Sequence, residues 1–288
     1  ALSMLFRTPN FNIDDRLGPV LLFCESLNGI WSLKVGMSWT LDLTCCGYLG
    51  PDAAALIYAT YLRSKVQLGQ DCEVRLPTEP IALAAFCRFS GLDHFINRGK
   101  RPQQDHPECE TVPLSNFLQT RGDQSWPVLE LVRRHLGHLS QDLETYIGVA
   151  FSEVAHNVED HSQSAVGGVS CARFLSGKRE IRVAMVDCGV GIAGTLSARH
   201  GPLTSADALE RVFNGRFEKR PNSRNQGLGL KNLADIVRLL RGNLFVLSGD
   251  ASAEIDARAL AANINTTDIQ FPGTGVFFTL PVHEEGQP

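Results

Sequence analysis

Ser152-Glu153-Val154-Ala155-His156-Asn157-Val158-Glu159-Asp160-His161-Ser162 is the stretch from which the rest of the chain can be read. Leu143, Ile147, Ala150, Phe151, Val154 and Val158 recur at steps of three and four, the spacing of a helix with one buried stripe. Ser140 stands where such a helix takes its N-cap. Glu153, Asn157 and His161 fall at i, i+4 and i+8, so they line one face beside the stripe. That row suits a polar ligand. A glutamate can orient or deprotonate a water, and an asparagine can offer a neutral oxygen to Mg²⁺, a hard cation that prefers oxygen. A solvated helix face would look the same, and the helix alone does not separate the two readings.

Downstream, Val169–Leu175 and Ile181–Val186 are strand-like and joined by Ser176-Gly177-Lys178, a hairpin signal. The second strand runs into Asp187-Cys188-Gly189-Val190-Gly191. Farther on, Asn225-Gln226-Gly227-Leu228-Gly229-Leu230 opens a helix over Lys231–Leu240. A strand follows at Asn243–Ser248, and Gly273-Thr274-Gly275 leads into another at Val276–Pro281. Each piece has a physical use around a nucleotide. A carboxylate at a strand end can accept a hydrogen bond from an adenine amino group. Gly189 and Gly191 let backbone approach a ligand closely. Gly227 and Gly229 at a helix N-terminus leave N–H groups free for phosphate, aided by the helix dipole.

The order Glu153-x-x-x-Asn157-x-x-x-His161, Asp187-x-Gly189-x-Gly191, Gly227-x-Gly229, Gly273-Thr274 resembles the GHKL (Bergerat-fold) ATPases over about residues 140–283. The spacing is closest to the anti-sigma-factor serine kinases and the ATPase branch. The resemblance implies that Glu153 is the general base, Asn157 ligates Mg²⁺, and Asp187 reads adenine. It also implies that Gly189 and Gly191 hinge a lid, that Gly227, Leu228, Gly229 and Leu230 form the phosphate box, and that Thr274 supports the adenine site. His161 either contacts phosphate or caps the helix C-terminus. Ala193–Gln226 lies where the family carries its lid. It includes the basic run Arg216, Lys219, Arg220 and Arg224, which either supplies one residue that reaches the terminal phosphate or is a mobile charged loop.

In the first hundred residues Val20–Phe23, Leu41–Leu43 and Cys72–Leu76 read as short buried strands. Helices are expected over Asp52–Gln67, with Pro51 at the start, and over Pro80–Phe89, closed by Gly91. Leu41-Asp42-Leu43-Thr44, Gly50-Pro51-Asp52, Glu73-Val74-Arg75-Leu76 and Ser90-Gly91-Leu92 together resemble a STAS domain over about residues 18–97. Phosphorylatable members of that family carry a Ser or Thr at the helix start. Gly50-Pro51-Asp52 has no hydroxyl, so the resemblance implies an interaction or dimerisation module without the phospho-switch.

Arg98 to about Pro127 is rich in Gly, Pro, Gln and Asp and reads as a linker with a short ordered piece at Leu114–Leu118. Periodicity resumes over Val128–Leu139. Asp250–Thr267 is polar and Ala-rich, with helical character at Ala257–Ala262, and interrupts two expected neighbouring strands.

The chain has 288 residues, a net charge of −4 and 43% hydrophobic residues, enough for two modest cores. That charge argues against a broad nucleic-acid or anionic-membrane footprint. No apolar run reaches the roughly eighteen residues of a membrane span, and no signal-peptide h-region is evident. The eight cysteines form no C-x-x-C pair and read as reduced thiols of a cytoplasmic protein.

Two rivals fail on sequence. Gly189-x-Gly191-x-x-Gly194 satisfies the dinucleotide fingerprint, but no Val/Ile-rich second strand follows before Gly227. A sensor kinase needs an acceptor His on a helical hairpin, and His135 and His138 share a single helix.

The fold class expected is α/β (α+β). An N-terminal STAS-like α/β domain covers 1–97 and a linker 98–127. A histidine-kinase-like ATP-binding domain covers 128–288, as a Bergerat-fold two-layer α/β sandwich with a mixed sheet. The function expected is a regulatory protein that binds Mg²⁺ and ATP/ADP. It either hydrolyses ATP or phosphorylates a protein partner on Ser/Thr, and the alternative is a non-catalytic nucleotide-gated interaction module. A second copy of the chain is a further expected partner.

Overall fold

The computed structural model describes residues 4–8, 18–98, 110–116, 125–137, 140–214 and 229–282. In chain order the first half gives β1 (Met4–Arg7), α1 (Gly18–Trp31), β2 (Trp39–Asp42), α2 (Pro51–Leu62), β3 (Cys72–Arg75), α3 (Ile81–Phe89) and α4 (Leu92–Asn97). The second half gives β4 (Thr111–Asn116), α5 (Ser125–Leu136), α6 (Gln141–His161), β5 (Gly168–Leu175), β6 (Glu180–Asp187), α7 (Gly191–His200), α8 (Ser205–Phe213), α9 (Gly229–Leu239), β7 (Asn243–Asp256) and β8 (Asn263–Pro281).

Among the described residues the protein is mixed α and β, with two sheets. A three-stranded parallel sheet has the order β1-β2-β3, with Met4 opposite Trp39 and Trp39 opposite Cys72. A five-stranded sheet has the order β4-β5-β6-β8-β7, and every neighbouring pair in it is antiparallel. The mixed sheet expected from the sequence is therefore corrected. β6 and β7 point the same way across a helical crossover, but β8 inserts between them and they do not pair. The antiparallel neighbour of β6 also disposes of the dinucleotide fingerprint, although α7 does follow Gly191 directly.

The five-stranded sheet is covered on both faces, not on one as a two-layer sandwich would require. Alternation along β6 sends Ala184 and Val186 into one core and Ile181, Val183 and Met185 into the other. The first core is closed by α1 and α2 and the second by α5, α6 and α9. Each fully buried Leu or Phe contributes about 1.5–3 kcal/mol, so this shared first core is a major part of the fold. α2 reaches the sheet closely because Ala53, Ala54, Ala55 and Ala59 form its buried side. α1 is tied to β8 by a reciprocal pair of bonds: the Asn28 amide donates to the Asp268 carbonyl at 3.2 Å, and Gln270 N–H donates to Asn28 Oδ1 at 2.9 Å.

Three further readings change. Val20–Phe23 is not a strand but the first part of α1, whose buried positions Val20, Phe23, Cys24, Leu27, Ile30 and Trp31 run on at helical spacing. A four-residue apolar run carries no period of its own. The segment read as a linker supplies β4, an edge strand paired to β5 through Thr111↔Arg173 and Asn116↔Val169. Asp250–Thr267 is not helical at Ala257–Ala262. It is the tip of a long hairpin in which Ala251 pairs with Thr266 and Glu254 with Asn263. Pairing of Glu254 with Asn263 fixes the two ends of this stretch, so residues 257–262 close the hairpin as a turn and have no room for a helix.

Candidate functional site

α6 organises the site. Ser140 caps it by accepting the Leu143 N–H at 3.3 Å, and Ile147, Ala150, Phe151 and Val154 bury its stripe. Glu153 and Asn157 stand beside that stripe, half-buried, and face the first turn of α9. Gly229 makes this approach possible. A Cβ there would sit 2.9 Å from Glu153 Cβ and 3.2 Å from Asn157 Nδ2, so any side chain would force the helices apart. One turn on, Asn232 Nδ2 donates to Glu153 Oε2 at 3.0 Å.

The end of β6 forms the second part. Asp187 is 4% exposed and pairs with Thr274 of β8. Its Oδ1 accepts the Gly189 N–H at 2.8 Å. Burial pushes its carboxyl up to about 7, and hydrogen bonds from the Gly189 and Thr274 backbone oppose that rise. Among the described residues no cation pairs with it.

The turn after Asp187 is locked from three sides. Val190 N–H donates to the Ser162 carbonyl at 2.8 Å, just past the end of α6. Ile192 N–H donates to Ser248 Oγ at 2.9 Å, and Ser248 in turn donates to the Gly273 carbonyl at 3.0 Å. Gly191 has φ +69° and Gly273 φ +128°, where an L side chain is strained, and a Cβ at Gly273 would collide with the Asp187 carbonyl.

The structure thus brings Glu153, Asn157, Gly229 and Leu230 together at the α6–α9 contact. It brings Asp187, Gly189, Gly191 and Thr274 together at the end of β6. α6 serves both groups, through its side chains and through Ser162. Gly227, Leu228 and the basic run Arg216, Lys219, Arg220 and Arg224 lie outside the described residues, as does the side chain of His161. The part of the expected lid that is described folds as α7 and α8. Sequence reasoning missed Asn232 and Ser248. An amide one turn into a helix and a serine in a strand carry no signal without a known neighbour.

On the other face of β6 lies a second polar group. Tyr48 and Asp52, before and within the first turn of α2, meet Arg182, which holds Glu180 at 2.6 Å. Burial raises the Asp52 carboxyl, opposed first by Arg182. Tyr48 OH, Asp52 Oδ1 and Arg173 Nε have no hydrogen-bond partner among the described residues. Pro51 and Asp52 are buried, so the helix start that the STAS resemblance marks is closed inside the protein.

Asn157 can serve Mg²⁺ in the way that ion prefers, as one neutral oxygen beside phosphate oxygens and waters. Among the described residues no group of three or more His, Cys, Asp or Glu side chains is placed to hold a metal unaided. The seven described cysteines are free thiols. His135 stacks on Phe174 at 3.7 Å, which leaves it packed in place. No described helix is long and apolar enough to cross a membrane. Neither protein-family models nor curated proteins gave a match to the chain.

Proposed function

We propose that the protein binds an adenine nucleotide with Mg²⁺ and cleaves or transfers its terminal phosphate, with Glu153 as general base. The observation that carries this reading is Asp187. It is a carboxylate sealed from water and held by glycine and threonine N–H groups, with no described cation to balance it. A buried carboxyl of that kind is costly unless a ligand supplies the missing donor, and the adenine amino group is such a donor. The order of the glycine boxes, with its GHKL resemblance, supports the same ligand.

The chain's own residues would then divide the work. Asp187 selects the base. Gly229, at the start of α9, sets backbone N–H groups and the helix dipole toward phosphate. Asn157 would hold Mg²⁺, which when bound offsets charge on the phosphates. Glu153 takes the proton from an attacking water or a partner's hydroxyl. The oxygen bonds to the terminal phosphorus, the bond to the β-phosphate oxygen breaks, and ADP leaves. Whether water or a partner hydroxyl attacks separates ATPase from serine/threonine kinase.

A time course with γ-labelled MgATP tests this, following released phosphate and protein-bound label together. Glu153→Ala should lower either product by about 10²–10⁴-fold, the usual contribution of a general base. Nucleotide that binds but never turns over in wild type would replace the enzyme by a nucleotide-gated interaction protein.

A further inference from the structure

We infer that Asn232 is a positioning residue for Glu153, an assignment that rests on the reading of Glu153 as the base. Gly229 and Asn232 stand one turn apart on α9, so both face α6. The missing side chain at Gly229 lets α9 lie directly on Glu153, and that closeness brings the Asn232 amide within 3.0 Å of Oε2. The bond occupies one carboxylate oxygen and fixes the plane of the group. Oε1 keeps its lone pairs for an incoming proton.

The choice of residue type is informative. A lysine or arginine at this place would form an ion pair and hold the carboxylate in its charged form, weakening it as a base. An aspartate would repel it. An amide orients the carboxylate and adds no charge. Asparagine is also a poor residue for a helix interior, where its side chain competes for backbone hydrogen bonds. One turn into α9 it therefore costs the helix something that the Glu153 contact offsets. Through Asn232 and Gly229 the segment that begins α9 sets both the spacing and the orientation of the base.

Two measurements on the full chain decide it. The first is the ¹H–¹⁵N signal of the Asn232 side-chain amide. In Glu153→Ala it should move to lower proton frequency and exchange faster with solvent. The second is steady-state ATP turnover. Asn232→Ala should lower kcat by about ten- to a hundredfold, the value of a hydrogen bond to a charged group, and leave KM for ATP within about twofold. Added to Glu153→Ala, the same substitution should lower the residual rate no further, since there is no carboxylate left to hold.

An amide signal that ignores Glu153→Ala overturns the inference. So does an unchanged kcat in Asn232→Ala, or an equal fall in rate in both backgrounds, the mark of a merely structural tie. If the amide signal moves but wild type turns over no ATP, the enzyme reading itself fails and this role falls with it. If wild type turns over ATP through Glu153 and Asn232→Ala matches it, only the present inference is lost.

Discussion

Two buried aspartates flank β6 from opposite faces, and they are balanced in different ways. Asp52 lies among Arg182, Glu180 and Tyr48, and the Arg182 guanidinium opposes the rise that burial causes. Asp187 has the N–H groups of Gly189 and Thr274 and, among the described residues, no cation at all. Burial raises both carboxyls. The first arrangement holds its own cation between α2 and the sheet, although Asp52 Oδ1 has no hydrogen-bond partner among the described residues. The second is complete only when something else brings a donor. A buried charge with its own counter-ion reads as structure, and one without reads as a place for a ligand.

The comparison can be broken by removing each partner in turn. The largest effect on stability is expected at Arg182. Arg182→Ala leaves Asp52 and Glu180 without their cation and should destabilise the fold by about 3–5 kcal/mol, read by urea unfolding. In protein that still folds, ADP affinity should stay within about twofold. A large loss of affinity would mean that the two faces are not independent. Asp187→Asn should do the reverse, weakening ADP by about 1.5–3 kcal/mol, or roughly ten- to a hundredfold by calorimetry, in a protein that remains fully folded. Unchanged ADP affinity would remove Asp187 from the base-reading role.

The pH effect is the most specific. Asp187 ionises near 3.8 in an unfolded chain and near 7 in the fold. Its contribution to stability is whole below the lower value and is lost as the pH rises through the higher one. Asp187→Asn cannot ionise, so it should gain on wild type between those values, with the difference levelling off above about pH 7. Unfolding curves at a series of pH values check this, and a constant difference would mean that the group is not held protonated. Asp52 should give no such simple profile, because the permanent charge of Arg182 opposes the rise that burial causes.

The parts of the fold that were legible in the sequence are those with a period or a chemical cap. α6 was legible from six apolar positions and Ser140, and the β5–β6 hairpin from Ser176-Gly177-Lys178. Errors came where the local pattern was too short or was overruled from a distance. Val20–Phe23 had too few residues to reveal a helical period. β1 and β4 are edge strands of four and six residues that the sequence reading left without strand assignments. The hairpin tip after Asp256 carries alanines whose helix preference loses to the turn that the paired strands on either side impose.

At the site, glycines that permit close approach and acids at helix or strand ends were visible as motifs. Their tethers were not. Asn232 and Ser248 act through contacts made 79 and 56 residues away in the chain. Only the folded arrangement reveals such pairs.

The bonds between Asn28 and the backbone of β8 span 240 and 242 residues. During synthesis α1 emerges early and β8 only much later, at some 5–20 residues per second. For that interval the sides of α1 and α2 that meet β5, β6 and β8 have no strand to lie on. The nascent chain therefore exposes a broad apolar surface until its last strand arrives. That makes the early intermediate, more than the finished protein, the form in need of a chaperone.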